Sequence, residues 1–132
     1  MSQEDAEIVR RLYEAWEHDG FGVVAELMDP KIEWVNPAYA VEPGTRHGYD
    51  GFAAAARSVR SIYPDFRLSP LKFYDAGGTV AVKVRVLARG AVSDLELDTE
   101  RGYLFDVLNG RIVRYAWFNE PGEALKAVGL AE

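Results

Sequence analysis

Leu95–Asn119 reads LELDTERGYLFDVLNGRIVRYAWFN. Leu97, Thr99, Arg101, Tyr103, Phe105 and Val107 alternate with Glu96, Asp98, Glu100 and Asp106, the period of a strand with one face toward a core. Asn109-Gly110 is the preferred pair for a two-residue hairpin loop, because both positions take positive φ. Counting back from that turn fixes a register, and a register assigns each side chain to a face. Val107 then pairs with Ile112, Phe105 with Arg114, Tyr103 with Ala116 and Arg101 with Phe118. This set holds the apolar majority and is read as the inner face, which leaves Leu104, Tyr115 and Trp117 outside. An inward arginine needs a carboxylate, water or a ligand anion, since an unpaired buried charge is too costly. Arg101 and Arg114 therefore suit a cavity better than a filled core. The alternative is that they reach solvent along their apolar stems at the open ends of the sheet.

Upstream, Val80, Val82, Val84 and Val86 alternate with Ala81, Lys83, Arg85 and Leu87, a second half-buried strand. A turn through Gly90–Ser93 pairs Val86 with Leu97 and Val82 with Arg101. It also sets Arg85 opposite Asp98 and Lys83 opposite Glu100, opposite charges that support the pairing. The outer face then carries Leu87, Leu104, Val113, Tyr115 and Trp117, more apolar surface than water should meet. It is read as the contact of a homodimer through the outer sheet.

The front half has helical spacing. Ser2 with Glu4, Asp5 and Glu7 starts a first helix, continued by Ile8, Val9, Leu12, Ala15 and Trp16 and stopped at Asp19-Gly20. Phe21–Met28 is a second, short helix. Residues 32–36 (IEWVN) read as a short strand, 37–48 as a loop, and Asp50–Tyr63 as a third helix closed by Pro64. A strand over 66–74 ends at the turn Asp75–Gly78. Pro121 opens a last helix running to Val128, with Gly129 beyond. The expected fold is α+β and a single domain over residues 1–132. A curved, mostly antiparallel sheet (32–36, then near 66–74, 79–89, 95–107 and 111–119) carries three helices from the N-terminal half on its concave face and a short C-terminal helix.

Composition narrows the function. With 48% hydrophobic, 12% aromatic and 27% charged residues in a chain of 132, a cored domain is expected rather than disorder. No cysteine means no disulfide or thiolate chemistry, and two histidines, His18 and His47, cannot build an all-histidine metal cluster. No metal or cofactor is expected. A net charge of -6 argues against nucleic acid, and no apolar run reaches the roughly 18 residues of a membrane span. A cytoplasmic location is expected.

The stretches IVRRLYEAWEHDGFGVVAELMDPKIEW, HGYDGFAAAARSVRSIYPDF and NGRIVRYAWFNEPGEALKAVGL resemble the SnoaL-like branch of the nuclear transport factor 2-like superfamily, which includes the ketosteroid isomerases and polyketide cyclases. The resemblance implies a cone-shaped pocket between a curved, barrel-like sheet and three helices, often in a sheet-on-sheet homodimer. It also implies positions to inspect. Ketosteroid isomerases carry an aspartate base before a proline after the first strand, and Asn36 stands there, before Pro37. Their oxyanion-binding acid matches Arg101, and their first-helix tyrosine matches Leu12, with Tyr13 one residue off. Asparagine is no base near neutral pH, so that mechanism is not expected.

What remains is a ligand pocket. Arg101 and Arg114 would hold an anionic or carbonyl oxygen. Tyr103, Trp16, Trp34, Asn36, Phe118, Tyr13, Val82 and Val84 would form the rest of the site. The catalytic candidates are His47, which could overhang the pocket from its loop, Asn36 and Tyr103. The expected function is binding of a small, largely apolar or mildly acidic, carbonyl-bearing metabolite, with lyase, isomerase or cyclase chemistry as an open extension. The alternatives are a ligand-binding domain without chemistry and a protein-interaction domain of the same fold.

Overall fold

In a computed structural model, described over residues 2–18, 21–40, 43–90 and 96–130, the chain runs α1 (Ser2–His18), α2 (Phe21–Glu26), β1 (Met28–Asn36), β2 (Gly44–His47) and α3 (Gly48–Ile62). It continues through β3 (Asp65–Asp75), β4 (Thr79–Arg89), β5 (Glu96–Leu108), β6 (Arg111–Phe118) and α4 (Pro121–Ala127). The sequence readings at Asp19-Gly20, past Gly90 in the β4–β5 turn and at Leu95 lie outside the described residues. The strands form an open mixed sheet in the order β2-β1-β6-β5-β4-β3, antiparallel except where β1 runs parallel to β6. No described helix is long and apolar enough to cross a membrane.

Two elements differ from the sequence reading. Met28 opens β1 instead of ending α2, and its fully buried side chain looks apolar in either role. The expected loop 37–48 contains β2, which pairs with β1 through Trp34 and Arg46. Four residues on an exposed edge carry too little alternation to be seen in the sequence.

The central strands fix the faces. Val80, Val82, Val84 and Val86 are all fully buried beneath α1. The β4–β5 register is offset by two residues from the expected one, with Val84 opposite Arg101 and Val86 opposite Thr99. A shift of two preserves faces, so the expected ion pairs form on the diagonal: Arg85 to Asp98 at 2.9 Å and Lys83 to Glu100 at 3.3 Å.

The last hairpin turns at Asn109 (φ 52) and Gly110 (φ 78), as its sequence requires. Beyond the turn a register shift changes everything. Val107 faces Ile112, but Asp106 faces Arg114, which makes Val113 an extra residue in β6. From there Phe105 pairs with Tyr115 and Tyr103 with Trp117. Tyr115 and Trp117 thus turn inward, while Arg114 and Phe118 turn outward, the reverse of the simple count.

The outer face is also not the bare apolar surface expected. α4 packs across it, and Leu104, Ala81 and Ala116 are buried against Ala124 and Leu125. Of the expected patch Leu87 keeps an outward, half-buried place among the ion pairs of β4 and β5, and Val113 is the half-buried residue of the β6 bulge. The apolar ground for a second copy here is filled from within the chain.

Gly102 is where α4 comes closest. A Cβ there would lie 2.7 Å from the Ala124 Cβ and 3.0 Å from the Pro121 Cα, so only glycine fits beneath the helix. Gly102→Ala is expected to push α4 off the sheet and cost about 1–3 kcal/mol of stability by overpacking. Urea unfolding followed by circular dichroism measures this, and a loss below about 0.5 kcal/mol would mean α4 does not bear on the strand as described.

Candidate functional site

Between the inner sheet face and helices α1 and α3 lies a cavity of about 320 Å³. α1 supplies Leu12, Tyr13 and Trp16, and α3 supplies Phe52, Ala55 and Val59. The floor is Trp34, Arg101, Tyr103, Tyr115 and Trp117, from three adjacent strands. Ala40, Ile62 and Phe66 stand where it opens, with Ile62 half exposed.

The floor is built as one unit. Asn36 Oδ1 accepts hydrogen bonds from two indoles, Trp34 Nε1 at 2.6 Å and Trp117 Nε1 at 2.7 Å. Trp34 stacks on Tyr115 with ring centres 4.4 Å apart, and Tyr115 meets Tyr103 edge-on at 5.5 Å. The Arg101 guanidinium lies over the Trp117 ring at 4.8 Å, a cation–π contact that seats a charge on an apolar wall. Tyr39, at the rim, meets the edge of Trp117. It accepts from the Asn119 N–H at 2.8 Å and donates to Glu123 at 3.3 Å, which ties the loop after β1 to α4.

Three buried tyrosines share the inner end. Burial pushes the Tyr103 phenol up from 10.0, and the Arg101 guanidinium beside it pulls in the opposite direction. A hydrogen bond with Tyr115 lowers Tyr103 and raises Tyr115, the signs expected when Tyr115 donates and Tyr103 accepts. Tyr13 and Tyr115 are held well above the ordinary value, chiefly by burial.

Of the residues expected from sequence, Arg101, Tyr103, Trp16, Trp34, Asn36 and Tyr13 meet around this cavity. Arg114 does not. The β6 bulge turns it to the outer face, 44% exposed and 3.8 Å from Asp106. Phe118 follows the same phase and packs near α4. Val82 and Val84 are buried in the packed part of the core, away from the lining. His47 is 70% exposed and faces Glu33 at 3.7 Å, because alternation along β2 sends Arg46 inward in its place. Tyr115, Trp117, Arg46 and Phe52 are among the lining residues the sequence reading missed. Only the bulge would have revealed the first two.

Comparison with known proteins agrees with this architecture. A model of the SnoaL-like domain matches residues 9–115. No curated protein matches the sequence. Among solved structures, an NTF2-like protein of unknown function from Burkholderia pseudomallei K96243 is similar at 23% identity and a TM-score of 0.79, covering 96% of this chain and 98% of its own. TerC, co-crystallised with polyporic acid, is similar at 17% identity and a TM-score of 0.79 over 95% and 98% of the two chains. A protein proposed to be a SnoaL-like polyketide cyclase, from Jannaschia sp. CCS1, reaches 0.80 at 18% identity over 99% and 95%. At such identities the likeness speaks to fold.

Two outcomes test this geometry. Asn36→Leu leaves two indole N–H groups without their acceptor and is expected to cost about 1–3 kcal/mol, with a shift in tryptophan emission. Unchanged emission and melting would mean the indoles are held by something else. Alkaline titration tests the tyrosines. Their folded values lie above the unfolded 10.0, so the folded state keeps protons that the unfolded chain releases, and stability falls as pH rises past that value. The phenolate absorbance of Tyr13, Tyr103 and Tyr115 should therefore appear together with loss of the circular dichroism signal. Full ionisation of all seven tyrosines before unfolding would contradict their burial.

Proposed function

Because the chain belongs to the SnoaL-like domain family, we propose that its cavity binds a small, flat, largely apolar molecule bearing an acidic or carbonyl oxygen, held by Arg101 and Tyr103. The single observation that carries this reading is the charge of the lining. Arg101 and Arg46 border an otherwise mostly apolar cavity, and no aspartate or glutamate stands among its described lining residues. A guanidinium half-buried on an indole favours a ligand anion, which forms charge-assisted hydrogen bonds in a poorly hydrated site. Cations are disfavoured for the same reason. The cavity volume suits two or three fused rings, and the rings of Trp16, Phe52 and Trp34 offer flat walls for them. TerC, which shares the fold, was co-crystallised with polyporic acid.

A second reading adds lyase, isomerase or cyclase chemistry. The contact of Arg101 with Tyr103 favours it, since a phenol beside a guanidinium can donate to a developing enolate oxygen. Such a reaction also needs a base. His47 stands outside the cavity, and the Asn36 oxygen is engaged by two indoles. Binding is therefore the reading preferred. A homodimer through the outer sheet would have to use the part that α4 leaves open, where Lys83–Glu100, Arg85–Asp98 and Arg89–Glu96 form ion pairs.

Quenching of tryptophan emission by fluorene carboxylate tests the proposal, with fluorenyl-methylamine as the cationic counterpart. The acid should bind and the amine should not. Arg101→Met should weaken the acid by at least about tenfold, the loss of one charge-assisted hydrogen bond, with melting little changed. Equal binding of acid and amine, or an acid indifferent to Arg101→Met, would overturn it.

A further inference from the structure

The α1 wall of the cavity carries two polar atoms whose needs the protein does not meet. The Tyr13 hydroxyl and the Trp16 indole Nε1 are both buried, and neither has a hydrogen-bond partner. Tyr13 as a whole is only 5% exposed. Three residues apart, the two side chains leave the same helix face one turn from each other, with Cβ atoms about 5–6 Å apart. Both border the cavity. Neighbouring rings hold them there: Phe105 meets Tyr13 edge-on at 5.7 Å and Phe52 meets Trp16 at 5.8 Å. Arg60 lies over the Trp16 ring at 5.1 Å.

Buried donors left unpaired are rare in folded proteins and each costs stability. An indole N–H can only donate, and a phenol beside it donates readily, so the complement of this wall is an acceptor. The acceptor is also uncharged. Among the described lining residues the cations lie on the strands, at Arg101 and Arg46, Arg60 lies over the Trp16 ring from outside that lining, and the rings that meet Tyr13 and Trp16 edge-on are apolar. A second anion seated on α1 would be buried without compensation.

We infer that the ligand carries a second, uncharged acceptor oxygen, a ring carbonyl or ether, which Tyr13 and Trp16 bind from α1 while the anionic group lies at Arg101. This rests on the proposed function and narrows it to flat molecules with two oxygen functions set apart, one ionised and one neutral. Tyr13 and Trp16 then select among acids of similar shape, and Arg101 selects for acids as such.

Two acids that differ only in a ring carbonyl test this, fluorene carboxylate and fluorenone carboxylate, titrated against the whole chain by tryptophan quenching. Fluorenone carboxylate should bind about three- to tenfold more tightly, the worth of one neutral hydrogen bond. Tyr13→Phe should erase that advantage, so that the two acids bind alike. Its melting temperature should hold or rise, since the substitution removes an unpaired donor. If Tyr13→Phe fails to fold, Trp16→Phe should erase the same advantage. Equal binding of the two acids, or an advantage that survives both substitutions, would overturn the inference and assign the two donors to buried water, with the anion reading intact. If neither acid binds, or Arg101→Met changes neither, the anion reading falls, and this inference falls with it.

Discussion

The phase of β6 is set by one extra residue. Val113 has no place opposite β5, so the strand absorbs it as a bulge and every side chain beyond it changes face. Without it, Tyr115 and Trp117 would point at α4 and Arg114 would enter the cavity. With it, two large aromatic rings join the floor and a second strand arginine goes to the surface, where Asp106 meets it. Trp117 then does three things at once. It supports the Arg101 guanidinium, reaches Asn36 on β1, and closes against Tyr39 at the rim.

The same bulge explains why the parallel contact between β1 and β6 matters. Trp34 stacks on Tyr115 across that pairing, and Asn36 takes hydrogen bonds from the tryptophans on both strands. A carboxylate at position 36 could accept from both indoles too, but it would bring a charge to the edge of an apolar floor. Asparagine keeps the two bonds and leaves the site neutral at that point. The formal charge inside the cavity therefore comes from arginines alone among the described lining residues.

Much of the architecture was legible because it rests on local signals. The valine alternation of β4, the Asn109-Gly110 turn, the α1 and α3 stripes and the Pro121 helix start each announce themselves within a few residues. β2 was hidden because a short exposed edge strand has no apolar period to show. The site was half legible. Arg101 and Tyr103 precede the bulge, so counting along β5 places them correctly. Arg114, Phe118, Tyr115 and Trp117 follow it, and a bulge leaves no mark in a sequence read by alternation. The β4–β5 register was off by two and cost nothing, whereas the β6 phase was off by one and inverted a face. His47 and Arg46 show the same parity rule on β2, where one position separates the cavity from water.

The tyrosines show what kind of chemistry the interior supports. Burial holds Tyr13 and Tyr115 protonated far into alkaline pH, so neither can act as a base near neutrality. Tyr103 feels the same burial, yet Arg101 and the Tyr115 hydroxyl both stabilise its oxygen. Those two contacts occupy the oxygen as an acceptor and leave its own proton to be given away. The wall on α1 adds two more donors without acceptors, Tyr13 and Trp16. Each of these groups carries a proton to donate, and the Asn36 oxygen, an acceptor of the lining, is already taken by the indoles. An interior of this kind suits a ligand whose oxygen atoms accept hydrogen bonds, with the donors already in position before it arrives.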